Sequence, residues 1–221
     1  MRLTPPAPLV KGVLSPVERY SEVLFGVLMA LTLTGALRVA SATEQEGRAM
    51  FFTTLACNIA WGVVDAVLYV LNSLFERGRR TLIARSLRAS PDEGQRLHLL
   101  AEALRDGLAE ALTADELNAL GRRIAGRSDL PERPGVHGQD LLGGLGVFLL
   151  VAASTFPVSL PFLLISDVSL AMRISRGLSL VLIFGCGYAV GRYSGLRAVS
   201  VGLTMLGIGA VMVAVLTALG G

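Results

Sequence analysis

Two stretches of this chain, residues 141–165 and 198–221, contain no charged side chain. No other feature restricts the fold as strongly. About 20 apolar residues in a helix cross the roughly 30 Å hydrocarbon layer of a bilayer. Inside that layer every backbone N–H and C=O needs a partner within the protein, which an uninterrupted helix supplies by itself. Composition points the same way. Of the 221 residues, 52% are hydrophobic and the mean hydropathy is +0.61, too apolar for a soluble domain of this length. Cys57 and Cys186 both fall in apolar segments, so there is no disulfide framework.

The pattern predicts an all-α integral membrane protein with five transmembrane helices, at about 15–39, 49–75, 141–165, 174–191 and 196–219. A polar insert, 76–140, separates spans two and three. The chain thus divides into 1–75, 76–140 and 141–221. The first span opens on a helix signal. Ser15 can cap, Pro16 suits the first helical position and Glu18 completes a capping-box pattern. A polar region carrying Glu18 and Glu22 leads into it, unlike the short positive start of a signal peptide, so the run reads as a span. "GRYSGLR" (191–197) reads as a tight turn between the last two spans.

Basic residues are unevenly placed. The insert holds 11 of the 20 Lys and Arg. Arg2, Lys11, Arg19, Arg192 and Arg197 fall on the same side, leaving Arg38, Arg48, Arg173 and Arg176 on the other. The positive-inside rule puts the N-terminus and insert in the cytoplasm and the C-terminus outside. Arg173 and Arg176 fit least well and call for an interfacial position or a pairing with Asp167. Within the insert, Ser90-Pro91-Asp92-Glu93 and Thr113-Ala114-Asp115-Glu116 read as helix starts. Leu97, Leu100, Ala101, Leu104, Leu108, Ala111 and Leu112 recur at helical spacing and predict an amphipathic helix. "RSDLPERPGVHG" (127–138) is the linker back to the membrane.

Carboxylates within a span are costly unless paired, protonated or facing water, so they are read as functional. Counting from Arg19, Glu22 lies about 5 Å deep and Met29 about 15 Å. Counting from Arg77, Asp65 lies about 18 Å deep. That places Asp65 and Met29 near one level, close to the midplane, with Glu22 at the cytoplasmic entrance. Asn58, Asp65 and Asn72 repeat every seven residues, with Gly62 and Tyr69 alongside, in a stripe that must face protein or a cavity. The stripe fits a ligand path or simple hydrogen bonding between helices. Carboxylates with a thioether suit Fe²⁺ or Mn²⁺ better than Ca²⁺, and a carboxylate that trades a metal for a proton is the simplest antiport element. The predicted metal ligands are Glu22, Met29, Asn58 and Asp65.

Pro157 and Pro161 in "STFPVSLPFLLISD" predict a break in the third span, as a gate or a permanent kink. Ser154, Thr155 and Ser159 are placed to satisfy the freed carbonyls. In the insert, His98, Glu102, Asp106 and Glu110 stand four apart. They fit either a cytoplasmic metal or proton surface or a solvated face with Glu-to-Arg pairs.

These motifs together resemble the vacuolar iron transporter family. "SEVLFGVLMALTLTG" is similar to the family's first-span pattern, an acidic residue, then "xxFG", then "xDGL". "FPVSLPFLL" resembles its Pro-containing third-span motif, and "GYAVGRYSGLRAVSVGLTMLGIGAVMVAVLTALGG" its last two spans. The resemblance implies a homodimer that exports Fe²⁺ or Mn²⁺ from the cytoplasm in exchange for protons. It aligns Glu22 with the family's first acidic residue and Asp65 with the glutamate of its "MxxGE" pattern. The aspartate of "DGL" is Met29 here, and the methionine of "MxxGE" is Trp61.

The expected function is therefore proton-coupled divalent-metal transport within membrane lipid, with no tightly bound cofactor and no nucleic acid. The alternative is a non-transporting scaffold or sensor whose basic insert binds a partner or anionic lipid. An enzyme is not expected, because the sequence carries no nucleophile–base pair, zinc motif or phosphate loop.

Overall fold

A computed structural model of the chain describes residues 14–35, 43–90, 92–104, 112–126 and 135–218, without the side chains of residues 44, 93, 102 and 103. The described residues are helical, in eight segments: α1 (Pro16–Gly35), α2 (Glu44–Ala89), α3 (Glu93–Ala103), α4 (Ala114–Ala125), α5 (Gly138–Ser159), α6 (Pro161–Leu164), α7 (Val168–Tyr193) and α8 (Ala198–Ala218). Four of them, α2, α5, α7 and α8, are long and apolar enough to cross a membrane. The protein is thus an all-α membrane protein. α1 falls outside that group because Glu18, Arg19 and Glu22 crowd its first two turns. The end of the first predicted span, 36–39, lies outside the described residues. α2 does not stop at residue 75 as expected. No proline interrupts the sequence before Pro91, and the helix runs on to Ala89.

The chain forms two compact units, Met1–Tyr69 with Gly138–Gly221, and Val70–His137. In the first unit, α1 packs against α5, α7 and α8, and α7 against α8. Each buried face follows helical spacing. On α5 it is Asp140, Gly143, Gly144, Val147, Val151, Ser154, Thr155 and Val158. On α1 it is Gly26, Val27, Ala30, Leu31, Thr34 and Gly35. Val27, Ala30 and Leu31 meet Val158 of α5 and Ile183 of α7 in one apolar cluster. α8 buries only its seven-residue stripe of Gly202 and Gly209, which lets Phe184 and Ile183 of α7 come close. The opposite faces carry exposed apolar residues, among them Val63, Val67, Leu149, Val181 and Val211, as contact with lipid requires.

Helix ends follow local chemistry. Ser15 and Glu18 form the predicted reciprocal box at the start of α1, with the Ser15 N–H donating to Glu18 at 2.6 Å. Asp167 caps α7 by accepting from the N–H groups of Ser169 and Leu170, so it is a cap and not an ion-pair partner for Arg173 or Arg176. The predicted turn after α7 is a Schellman motif. Gly195 takes φ 72°, and the Leu196 N–H reaches back to the Gly191 carbonyl at 2.9 Å.

At the expected break in the third span, α5 ends at Ser159 and one turn, α6, begins at Pro161. Leu160 between them keeps helical dihedrals (φ −55°, ψ −37°) and its N–H donates to the Phe156 carbonyl at 2.8 Å, so the helical path continues. The hydroxyls do not serve the carbonyls that the prolines free, those of Ala153 and Pro157. Ser154 and Thr155 donate to Val151, and Ser159 donates to Thr155. Each bonds the carbonyl its own χ1 rotamer can reach, three or four residues back. This stretch is tied instead from a neighbouring helix, where Ser175 of α7 donates to the Val158 carbonyl at 2.6 Å.

In the second unit, the end of α2 meets α3 and α4 through Leu87, Leu100 and Leu117. Both predicted helix starts are observed. Asp92 caps α3, and Thr113 with Glu116 forms a complete capping box on α4. The amphipathic helix predicted to reach Leu112 ends at Ala103, since Leu104 leaves helical geometry at ψ 84°. Residues 105–111 lie outside the described residues.

The Thr113 backbone N–H and hydroxyl both donate to the Glu116 carboxylate at 2.8 Å and hold its pKa below the usual carboxylate range. The folded pKa is the lower one, so this stabilisation is complete above the unfolded value of 4.5 and is lost as pH falls through the folded value. Amide protection over residues 115–117, corrected for intrinsic exchange, should drop as pH falls below 4.5 and through the lower folded value. Glu116→Gln keeps the box without the titration and should flatten that response. An unchanged acid response in this variant would place its origin elsewhere.

Candidate functional site

Along α2 the buried residues Gly47, Phe51, Thr54, Asn58 and Gly62 form a single edge. Asn58 is the polar centre of that edge and is 0% exposed. Its amide Nδ2 donates to the Gly26 carbonyl of α1 at 2.9 Å and to Thr155 Oγ1 of α5 at 2.5 Å. One side chain therefore joins three helices. Glycines permit the approach. A Cβ at Gly62 would lie 3.2 Å from the Phe148 carbonyl of α5, and a Cβ at Gly26 would lie 2.8 Å from the Val151 carbonyl.

These contacts fix how α1 and α2 run past each other. Asn58 meets Gly26, and Trp61 meets Phe25 edge-on at 6.4 Å between ring centroids. One turn beyond Trp61 on α2 stands Asp65. One turn before Gly26 on α1 stands Glu22. This register brings the two residues to one level on antiparallel helices, near enough for Glu22 to feel the negative charge of Asp65. Both residues are half-buried. Asp65 Oδ2 is enclosed without a hydrogen-bond partner. Among the described residues, neither carboxylate pairs with an arginine.

The geometry corrects the expected levels. Asp65 lies opposite Glu22, not opposite Met29. Met29 is three residues past Gly26, on the other side of Asn58, so about 15 Å of helix separates it from Asp65. Depth counted from Arg19 and Arg77 misled because α2 continues unbroken through Arg77 to Ala89, so Arg77 marks no helix boundary. Of the four predicted ligands the structure brings together Glu22 and Asp65. Asn58 follows about 10 Å along α2, with its buried Oδ1 also unpartnered.

The remaining predicted residues lie apart from this pair. Tyr69 packs over Gly143, and Asn72 is exposed. His98 is exposed on α3. Glu102 is described by its backbone alone, and Asp106 and Glu110 lie outside the described residues. Among the described residues no three His, Cys, Asp or Glu side chains converge. Sequence reasoning placed Thr155 at the proline carbonyls and did not link it or Gly26 to Asn58, which they bracket. A glycine one turn from Glu22 on the same helix was the available signal.

Two oxygen-donor groups held at one level without a counter-charge favour a cation or a proton between them. The Asn58 carbonyl oxygen adds a neutral acceptor further along the same interface. Compared with protein-family models and with curated proteins, the sequence gives no match.

Proposed function

We propose that the chain is a divalent-cation transporter that exports Fe²⁺ or Mn²⁺ from the cytoplasm in exchange for protons. The observation that carries this reading is the Glu22–Asp65 pair, two neighbouring carboxylates with no arginine partner among the described residues. In this reading α1 crosses the membrane as a fifth span beside α2, α5, α7 and α8. The N-terminus and the arginine-rich 70–137 unit face the cytoplasm, and two copies form the homodimer that the family resemblance implies. Glu22 and Asp65 act as one site rather than as entrance and midplane. Asn58 serves as a supporting acceptor, and Met29 belongs to a later position on the path.

The test is flux in proteoliposomes loaded with a metal-quenched dye. Fe²⁺ and Mn²⁺ should enter faster than Co²⁺ and far faster than Ca²⁺, and an imposed pH gradient should change the rate. No protein-dependent flux for any of the four ions would end the proposal.

One observation favours a second reading, a membrane scaffold or sensor without transport. Among the described residues no group of three metal-ligating side chains forms, so a single chain offers an incomplete cation shell. Water accessibility separates the readings. A cysteine at position 65 that reacts with a hydrophilic thiol reagent supports transport, and one sealed from it supports the scaffold.

A further inference from the structure

The second unit carries a separate feature that the carboxylate pair does not use. Arg96 of α3 and Asn118, Gly121 and Arg122 of α4 line a small polar cleft. Sequence and packing explain it. Asn118 and Arg122 stand four apart and share one face of α4. Gly121 beside them lets α3 settle closely, because a Cβ there would lie 2.7 Å from Leu100 Cδ1. Arg96 is one turn before Leu100 and lines the cleft together with Asn118 and Arg122.

Both guanidinium groups carry a permanent positive charge. Placing them on one cleft costs repulsion. Among the described residues no carboxylate lines the cleft, and neither arginine has a hydrogen-bond or ion-pair partner. Elsewhere in this unit Arg88 donates to the Ala125 carbonyl, Arg77 to the Gly135 carbonyl and Arg80 pairs with Glu76. Arg79 and Arg123 are unpartnered among the described residues but do not line this cleft. Two arginines and a carboxamide on one small cleft supply the donor types that a phosphate group at its mouth would take, since arginine donates to phosphate oxygens in pairs.

We propose that the α3–α4 cleft is an anion site that takes a phosphate group, held by Arg96 and Arg122 with Asn118 as a neutral donor. The phosphate is either free in solution or the headgroup of an anionic lipid, since both present the same oxygens. The site is independent of the transport reading.

Calorimetric titration of the full chain in detergent tests it with three probes. These are inorganic phosphate, dihexanoyl phosphatidic acid and dihexanoyl phosphatidylcholine. The wild-type chain should bind one or both of the first two saturably. Binding of inorganic phosphate points to a soluble ligand, and binding of phosphatidic acid alone points to a headgroup. Arg96→Gln and Arg122→Gln should each weaken binding about tenfold, and Arg96→Lys by less, because it keeps the charge and loses the fork. Arg123→Gln removes the same charge from the next position, outside the cleft, and should change affinity by less than about twofold. Size-exclusion profiles confirm that each variant is folded. The proposal is overturned if neither phosphate probe binds, if phosphatidylcholine binds equally well, or if Arg123→Gln weakens binding as much as Arg96→Gln.

Discussion

A Gly26→Val chain is expected not to assemble its membrane unit. At Gly26 α1 packs tightly against α5. A Cβ there would stand 2.0 Å from Ser154 Oγ and 2.8 Å from the Val151 carbonyl oxygen. The hydroxyl can rotate away, but the carbonyl cannot, so the helices must separate. Separation also lengthens the bond from Asn58 Nδ2 to the Gly26 carbonyl, and with it the junction to Thr155. Overpacking costs about 1–3 kcal/mol, and a buried donor left unpaired costs about as much again. Alanine, the smallest step, should lower the unfolding temperature in detergent by about 5 °C or more. Valine should abolish recovery of a monodisperse protein. Ser154→Ala in the Gly26→Ala background removes the 2.0 Å clash and leaves the 2.8 Å one. It should restore only part of the loss. Full restoration would mean that the hydroxyl alone set the limit and the backbone approach did not.

What the sequence made legible here is mostly local. The capping boxes at Ser15 and Thr113, the Asp92 cap and the start of α6 at Pro161 each depend on residues within four positions. Each has a chemistry that works the same way in any protein. The two carboxylates were visible too, because a charge in an apolar run stands out against its neighbours. What could not be read was the register between α1 and α2. It is set by Asn58 bonding to residues 32 and 97 positions away, and by glycines whose partners lie on other helices. Counting depth from arginines assumed that each marks a membrane boundary. α2 breaks that assumption by continuing through Arg77, Arg79 and Arg80 as one helix. A long-range hydrogen bond thus moved Asp65 from Met29 to Glu22, and changed a path of two separated stations into a single pair.

That pair makes the second large effect specific. Asp65→Asn keeps the volume of the side chain and removes its charge. If Asp65 holds the transported ion, flux in proteoliposomes should fall by at least about tenfold, as loss of a ligand does. Glu22→Gln should do the same, and the double variant should be little worse than either, since both act on one ion. Stability should move the other way. A carboxylate oxygen enclosed without a donor opposes folding, and so does the negative charge of Glu22 near it. Asparagine at 65 removes the enclosed charge and the repulsion and supplies an N–H that can donate to Glu22, so the unfolding temperature should stay unchanged or rise. A structural acid predicts the reverse pattern, with flux intact and the unfolding temperature lower. The two readings therefore differ in sign on both measurements. Asn58→Leu supplies the contrast. It deletes the Gly26 and Thr155 bonds and should lower stability first, with flux lost only as the bundle loosens. If Asp65→Asn and Asn58→Leu behaved alike, the carboxylate would be one more packing group of the α1–α2 interface.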